Sequence, residues 1–191
     1  LAFRLISSFG GINQKSLRTG DLTEYGWGQF EYATNQLKGM PLYIDDTPSL
    51  TPSEIRSRAR RIQREKGLSL IVIDYLQLMQ IPGNKENRAT EVSTISRNLK
   101  ALARELNIPV IALSQLNRSV TATGGNPRMS DLRDSGAIEQ DADLIAFIYR
   151  EEIANPNEYT KDQLNEKGIV GEAELIVAKQ RNGPIGSFNL K

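Results

Sequence analysis

Two residue types are missing altogether: the 191-residue chain has no cysteine and no histidine. Without Cys there is no disulfide and no thiolate nucleophile. Without His there is no Ser-His-Asp triad, and without either the usual zinc sites go as well. Chemistry is left to carboxylates, amides, Lys, Arg and a hard cation with oxygen ligands. A chain without Cys also suits a reducing cytoplasm, which is where this protein is expected. No segment approaches the roughly 18 consecutive apolar residues of a membrane span, so no membrane partner is expected. No basic segment followed by an apolar core and a cleavage site argues for secretion. An excess of one charge is lacking too. Lys and Arg number 24 against 23 Asp and Glu, a net charge of +1, so no bulk basic field announces nucleic acid. The charge is uneven nevertheless: Arg56–Lys66, RSRARRIQREK, is basic, and Glu151–Glu166 is rich in acids. The basic run reads as the solvated face of a helix.

What is present suits an ordered domain with a sizeable core, 39% hydrophobic and 25% charged. LAFRLISSF reads as the tail of an amphipathic helix, entered in mid-pattern with no Met and no cap, as in a piece of a longer protein. QKSLRTGDL reads as a short helix ended by Gly20, and Thr23–Lys38 as a helix stopped by Gly39 with Pro41 beyond. Leu42–Asp46, LYIDD, reads as a short strand. Thr51-Pro52-Ser53-Glu54 is a helix start with a cap, a Pro at the first position and a capping-box Glu. That helix runs to about Lys66, with Ile55, Ala59 and Ile62 at helical spacing, and stops at Gly67. Ile81–Thr90 is a polar loop. Glu91–Leu106 is a helix with Ile95, Leu99, Leu102 and Leu106 on one stripe.

Strands are expected at Leu68–Ile73, Pro109–Leu113, Leu144–Tyr149 and Ala173–Ala178. A turn through Asn182–Gly186 leads into a last one, Ser187–Leu190. Arg118–Ser130 reads as a mobile loop, and Asn155–Val170 as an acidic excursion, hairpin-like or disordered. Strands alternate with helices through the middle, which predicts an α/β fold with a mostly parallel central sheet, flanked by helices, and an antiparallel C-terminal edge.

The run Leu68–Met79, LSLIVIDYLQLM, carries the most information. LIVI is short and unbroken, as in a strand buried on both faces, and it stops at Asp74. Sheets of this kind place ligands outside the carboxyl ends of their strands. An acid there can hold Mg²⁺, directly or through water, or it can simply end a strand. Gln115 follows the next strand, and Lys179 and Arg181 follow a later one. An amide can orient a water or report a phosphate. Residues two apart on a strand point the same way, and Arg is the better donor for bidentate phosphate contact. Taken singly, Gln115 can be a structural amide and the two cations a solvated strand end; as a set they suggest an edge that handles phosphate. A glycine-rich loop of the form GxxxxGK[ST] is absent. Gly124-Gly125-Asn126-Pro127-Arg128 lacks the Lys-Ser/Thr pair and does not join a strand to a helix. These residues therefore do not cradle a triphosphate in the usual way by themselves.

LSLIVIDYLQLM, IALSQLNR, SDLRDSGAIEQDADLIAFIYR and VAKQRNGPIG, in this order, resemble the C-terminal motor domain of the DnaB-type replicative DNA helicases. The similarity covers essentially residues 1–191, as one partial RecA-like domain without the P-loop segment. The resemblance implies a homohexameric ring that moves on single-stranded DNA with ATP and Mg²⁺, working with primase and a helicase loader. It makes Asp74 the Walker B acid, linked to Mg²⁺ through water. Gln115 becomes the phosphate sensor and Arg181 the arginine finger toward the neighbouring subunit's ATP, with Lys179 beside it. Arg150 becomes a contact to the nucleotide base. Arg133, Asp134 and Gly136 become the loop that grips the DNA backbone; the family commonly has Glu where this chain has Asp134. The segment that carries the water-activating carboxylate has no counterpart, nor has the N-terminal domain. Two further readings stay open: an inert module for assembly or partner docking, and another RecA-like ATPase, such as a recombination mediator or a clock-type kinase. The run SDLRDSGAIEQDADL speaks against the last.

Overall fold

The computed structural model describes residues 1–83, 87–116, 126–132, 136–155, 163, 166 and 170–190. The chain divides into two compact units, Leu1–Asp46 and Thr47–Lys191.

The first unit holds α1 (Ala2–Gly10), α2 (Gln14–Thr19) and α3 (Glu24–Lys38). Asn13 caps α2 and Thr23 caps α3 through their side chains, and Gly20 ends α2 in the left-handed conformation at φ 74°. A Cβ on Gly10 would lie 3.1 Å from the backbone oxygen of Gln29, so α1 and α3 approach at backbone distance there. Ile12, Leu17 and Ala33 are buried. Leu42–Asp46 forms no strand; every one of its residues is exposed and it has no ladder partner. A strand needs a neighbouring strand for its amides, and no ladder to this segment forms among the described residues.

The second unit begins with α4 (Pro52–Lys66), whose capping box is complete: Glu54 N–H donates to Thr51 Oγ1 and Thr51 N–H to the Glu54 carboxylate. β1 (Ile71–Ile73), a 3₁₀ turn (Leu76–Leu78), α5 (Arg88–Leu106) and β2 (Val110–Ala112) follow. A second 3₁₀ turn (Met129–Asp131), α6 (Gly136–Asp141), β3 (Leu144–Tyr149), α7 (Glu151–Ala154), β4 (Ala173–Gln180) and β5 (Gly186–Leu190) complete it. Asn87 caps α5 and starts it at Arg88, three residues earlier than expected. The expected stripe of α5 is buried, with Val92 added to Ile95, Leu99, Leu102 and Leu106. Its N-terminal part packs with Leu76, Met79, Leu132, Ile138, Ile145 and Phe147. Its C-terminal part packs with Ala59 of α4.

The sheets differ from the expected plan in two ways. β1 and β2 are parallel, with Ile73 opposite Ala112, but β3, β4 and β5 form an antiparallel sheet, so antiparallel pairing starts one strand before the C-terminal edge. A parallel return from β3 needs a crossover that runs back along the strand. Among the described residues that connection holds α7, a four-residue turn of helix, and the helical residues Gln163 and Glu166. Nor is the first strand buried on both faces. Ile71 and Ile73 face the packed side, whereas Val72 is 58% exposed and Ile111 of β2 49%. The helices described cover one face of this pair. No helix among the described residues is long and apolar enough to cross a membrane.

Candidate functional site

The parallel pair brings two of the sequence-predicted residues together. Asp74 comes directly after β1 and Gln115 three residues after β2, at the carboxyl ends of neighbouring strands; both are exposed. Pairing continues past the strands, with Leu113 N–H donating to Ile73 O and Leu76 N–H to Leu113 O, each at 2.9 Å. The turn after Asp74 is braced from α5. The Arg88 guanidinium donates to the carbonyls of Gln77, at 2.8 Å, and Met79, at 3.3 Å, and pairs with Glu91. Glu91 in turn accepts from Ile81 N–H at 2.8 Å, which together with Arg88 holds its carboxyl below the usual range. Among the described residues no three acidic side chains cluster as for a metal cage. One exposed carboxylate fits Mg²⁺, which keeps several waters and takes one or two carboxylates plus phosphate oxygens.

Lys179 and Arg181 form a second group, and as expected they share a side. Both meet the C-terminal end of α6, where helix carbonyls lack partners. Lys179 Nζ donates to the carbonyls of Glu139 and Ala142, the latter at 2.8 Å. Arg181 donates to the carbonyl of Gln140 at 2.5 Å, and lies 3.4 Å from the Asp143 carboxylate. Asp143, which the sequence reading missed, also pairs with Lys100 of α5. The Lys100 hydrogen bond, then the charges of Lys100, Arg181 and Arg104, keep the Asp143 carboxyl below its usual range. A groove of about 600 Å³ runs beside them, lined by Arg97, Lys100, Arg104 and Arg181 with Glu105, Asp141 and Gln140. Its excess of cations suits an anion.

Gly136 is the first residue of α6, so the helix that ends at these two cations begins there. Arg133 and Asp134 lie outside the described residues, as do most of Arg118–Ser130 and of Asn155–Val170. Arg150 precedes α7 and pairs with Glu152. Ile145 lies opposite Lys179 in the ladder, and five residues of extended chain separate it from Arg150, about 16 Å. The predicted residues therefore fall into separate places: Asp74 with Gln115, Lys179 with Arg181, and Arg150 apart. The basic run on α4 is only partly a solvated face, because Arg56 and Arg60 both reach Glu105 of α5. The sequence signal for the missed residues was thin. Gln77, Arg88 and Glu91 stand in polar turns or at a helix start, and only Asp143, an acid placed directly before an apolar run, repeats the pattern of Asp74 in reverse.

The model of the DnaB-like helicase C terminal domain matches residues 1–191. The replicative DNA helicase DnaB of Geobacillus stearothermophilus is 54% identical over 192 residues, covering all of this chain and 40% of that protein. The replicative DNA helicase DnaC of Bacillus subtilis is 51% identical, with the same coverage. This chain thus spans about two fifths of the length of the curated relatives it matches. The solved structure of a DnaB-like replicative helicase and its interactions with primase superposes at a TM-score of 0.85 with 35% identity, over 98% of this chain and 44% of that one. A second solved structure, of an ATPase domain, does so at 0.84 and 35%, over 97% and 64%. The fold is α/β and RecA-like, and the chain belongs to the DnaB-like helicase C-terminal domain family.

Proposed function

We propose that these residues are the motor part of a replicative DNA helicase, which couples ATP hydrolysis to movement on single-stranded DNA and to duplex unwinding in the cytoplasm. The observation that supports this reading is the parallel pair whose two carboxyl ends lead into Asp74 and Gln115, on a chain akin to replicative helicases along its whole length. The separate places of the predicted residues suit a nucleotide held between subunits. Asp74 and Gln115 would serve one half of such a site, and Lys179 and Arg181 would serve the neighbour's. A homohexameric ring provides that arrangement, with single-stranded DNA in its centre and primase and a loader as partners. Asp74 would hold Mg²⁺, and the ion would supply positive charge to the phosphate oxygens. Gln115 presents its amide toward the γ-phosphate, and further phosphate contacts come from residues outside this chain. Arg150 contacts the base. Arg133, Asp134 and Gly136 would offer main-chain N–H groups to the DNA backbone, and Arg133 its positive charge, which gives binding without sequence preference.

An arginine finger stabilises charge that develops on the transferred phosphoryl group, and is worth about 10³–10⁵ in rate. Arg181→Ala in the full-length protein is therefore expected to leave ATP binding near the wild-type level. DNA-stimulated hydrolysis should fall by about 10³-fold or more. Both are read by nucleotide titration and steady-state phosphate release. Hydrolysis at the wild-type rate would overturn the assignment.

A further inference from the structure

Among the described residues, the Gln77 side chain ties the turn after Asp74 to the main chain of Gln115. Its Oε1 accepts from Gln115 N–H at 3.3 Å, and its Nε2 donates to Gln115 O at 3.4 Å and to Ser114 Oγ at 2.9 Å. The amide thus grips both polar groups of one residue's backbone, as a paired strand would, just where the β1–β2 ladder has ended. Gln77 is itself held, because its own carbonyl accepts from Arg88. The next residue, Leu116, makes an isolated antiparallel bridge to Leu132, which directly precedes Arg133. A continuous bonded line therefore runs from the N-terminus of α5 through Gln77 to Gln115, and from there to the threshold of 133–136.

We propose that Gln77 is a positioning residue. It fixes the main chain of Gln115, and through the Leu116–Leu132 bridge it ties the aim of that amide to the chain leading toward the DNA-gripping loop proposed above. The proposal rests on the function proposed above for Gln115 and for that loop. Gln77 touches neither phosphate nor DNA in this scheme. A side chain that only held the fold would lower thermal stability and spare coupling. A positioning residue would spare stability and weaken coupling, because a displaced Gln115 backbone misaims the amide without altering the core beneath it.

The test uses the full-length helicase and four variants: Gln77→Ala, Gln77→Glu, Ser114→Ala and Gln115→Ala. Each is measured for basal and DNA-stimulated ATPase, KM for ATP, and melting temperature. Gln77→Ala should cut the ratio of stimulated to basal rate at least tenfold, with KM within twofold of wild type and little change in melting. Gln77→Glu keeps the acceptor for Gln115 N–H and loses the donor, so its ratio should fall between those of Gln77→Ala and wild type. Ser114→Ala, which removes one of the three contacts, should fall less than Gln77→Ala. A wild-type ratio for Gln77→Ala, with Gln115→Ala impaired, would overturn the role of Gln77 and leave that of Gln115 standing. A wild-type ratio for Gln115→Ala would overturn the sensor reading itself. Equal melting losses in Gln77→Ala and Gln77→Glu with an unchanged ratio would make Gln77 a structural amide only.

Discussion

Ile95 offers the sharpest test of how this fold holds its site. It is fully buried at the middle of α5. Its cluster takes in Leu76 and Met79 from the turn after Asp74, Ile138 from α6 and Phe147 from β3. Ile95→Val removes one carbon and Ile95→Ala removes three. At about 0.8 kcal/mol per buried methylene, lost transfer free energy alone is about 0.8 and 2.4 kcal/mol. The alanine variant also leaves a cavity, which brings its cost to about 3–4 kcal/mol, within the range seen for such changes. For a unit of this size each kcal/mol lowers the melting temperature by about 2–4 °C. Ile95→Ala should then melt about 6–16 °C lower, and Ile95→Val about 2–3 °C lower. Thermal unfolding of the full-length protein and the urea midpoint of the same transition both report it. Basal ATPase well below the transition should persist, because Ile95 lies beneath the strand ends and not among the polar groups there. An Ile95→Ala loss under about 1 kcal/mol, or no larger than that of Ile95→Val, would refute the placing of the core along this stripe.

Two further outcomes are expected. Thr51→Ala removes the reciprocal cap of α4 and should cost about 1 kcal/mol, with faster amide exchange at Glu54 than in the wild type; unchanged exchange there would show that the cap is idle. Glu91 has its carboxyl lowered by the Ile81 N–H and Arg88, so its contribution is complete above the ordinary value of 4.5 and is lost as pH falls through the lower, folded value. Acid unfolding of Glu91→Gln should therefore show a shallower pH dependence below about pH 4.5 than the wild type, and parallel acid curves would contradict this.

What the sequence made legible was local. Thr51-Pro52-Ser53-Glu54, Gly20 and Gly67 mark helix ends through interactions within a few residues, and the structure places them as read. Asn87 is the same kind of signal, hidden inside a polar loop, and so α5 began earlier than expected. The stripe of α5 was legible because burial follows a 3.6-residue period. LYIDD reads as a strand from composition, yet a strand exists only where a partner takes its amides. The direction of β3 against β4 depends on a connection whose course no periodicity reveals. Asp74, Gln115, Lys179 and Arg181 stood out because charged or amide groups at the ends of apolar runs are informative types. Their partners did not, since Gln77, Arg88, Lys100 and Asp143 act over 11 to 43 residues of sequence through contacts that only tertiary packing creates.

The docking of Lys179 and Arg181 on α6 has a consequence for that helix. Six residues are about 9 Å of helix, far below the length that is stable alone. Gly136–Asp141 is held by packing on α5, by the burial of Ile138 and by the cations on its last carbonyls. On the proposed reading the same two cations serve a neighbour's phosphate, so phosphate and peptide oxygens compete for their N–H donors. Engagement across the ring is then an exchange of partners, in which phosphate replaces peptide oxygen. On that reading each exchange would take donors from the last carbonyls of a helix whose other end is Gly136, which links the neighbour's nucleotide to the start of the same six residues.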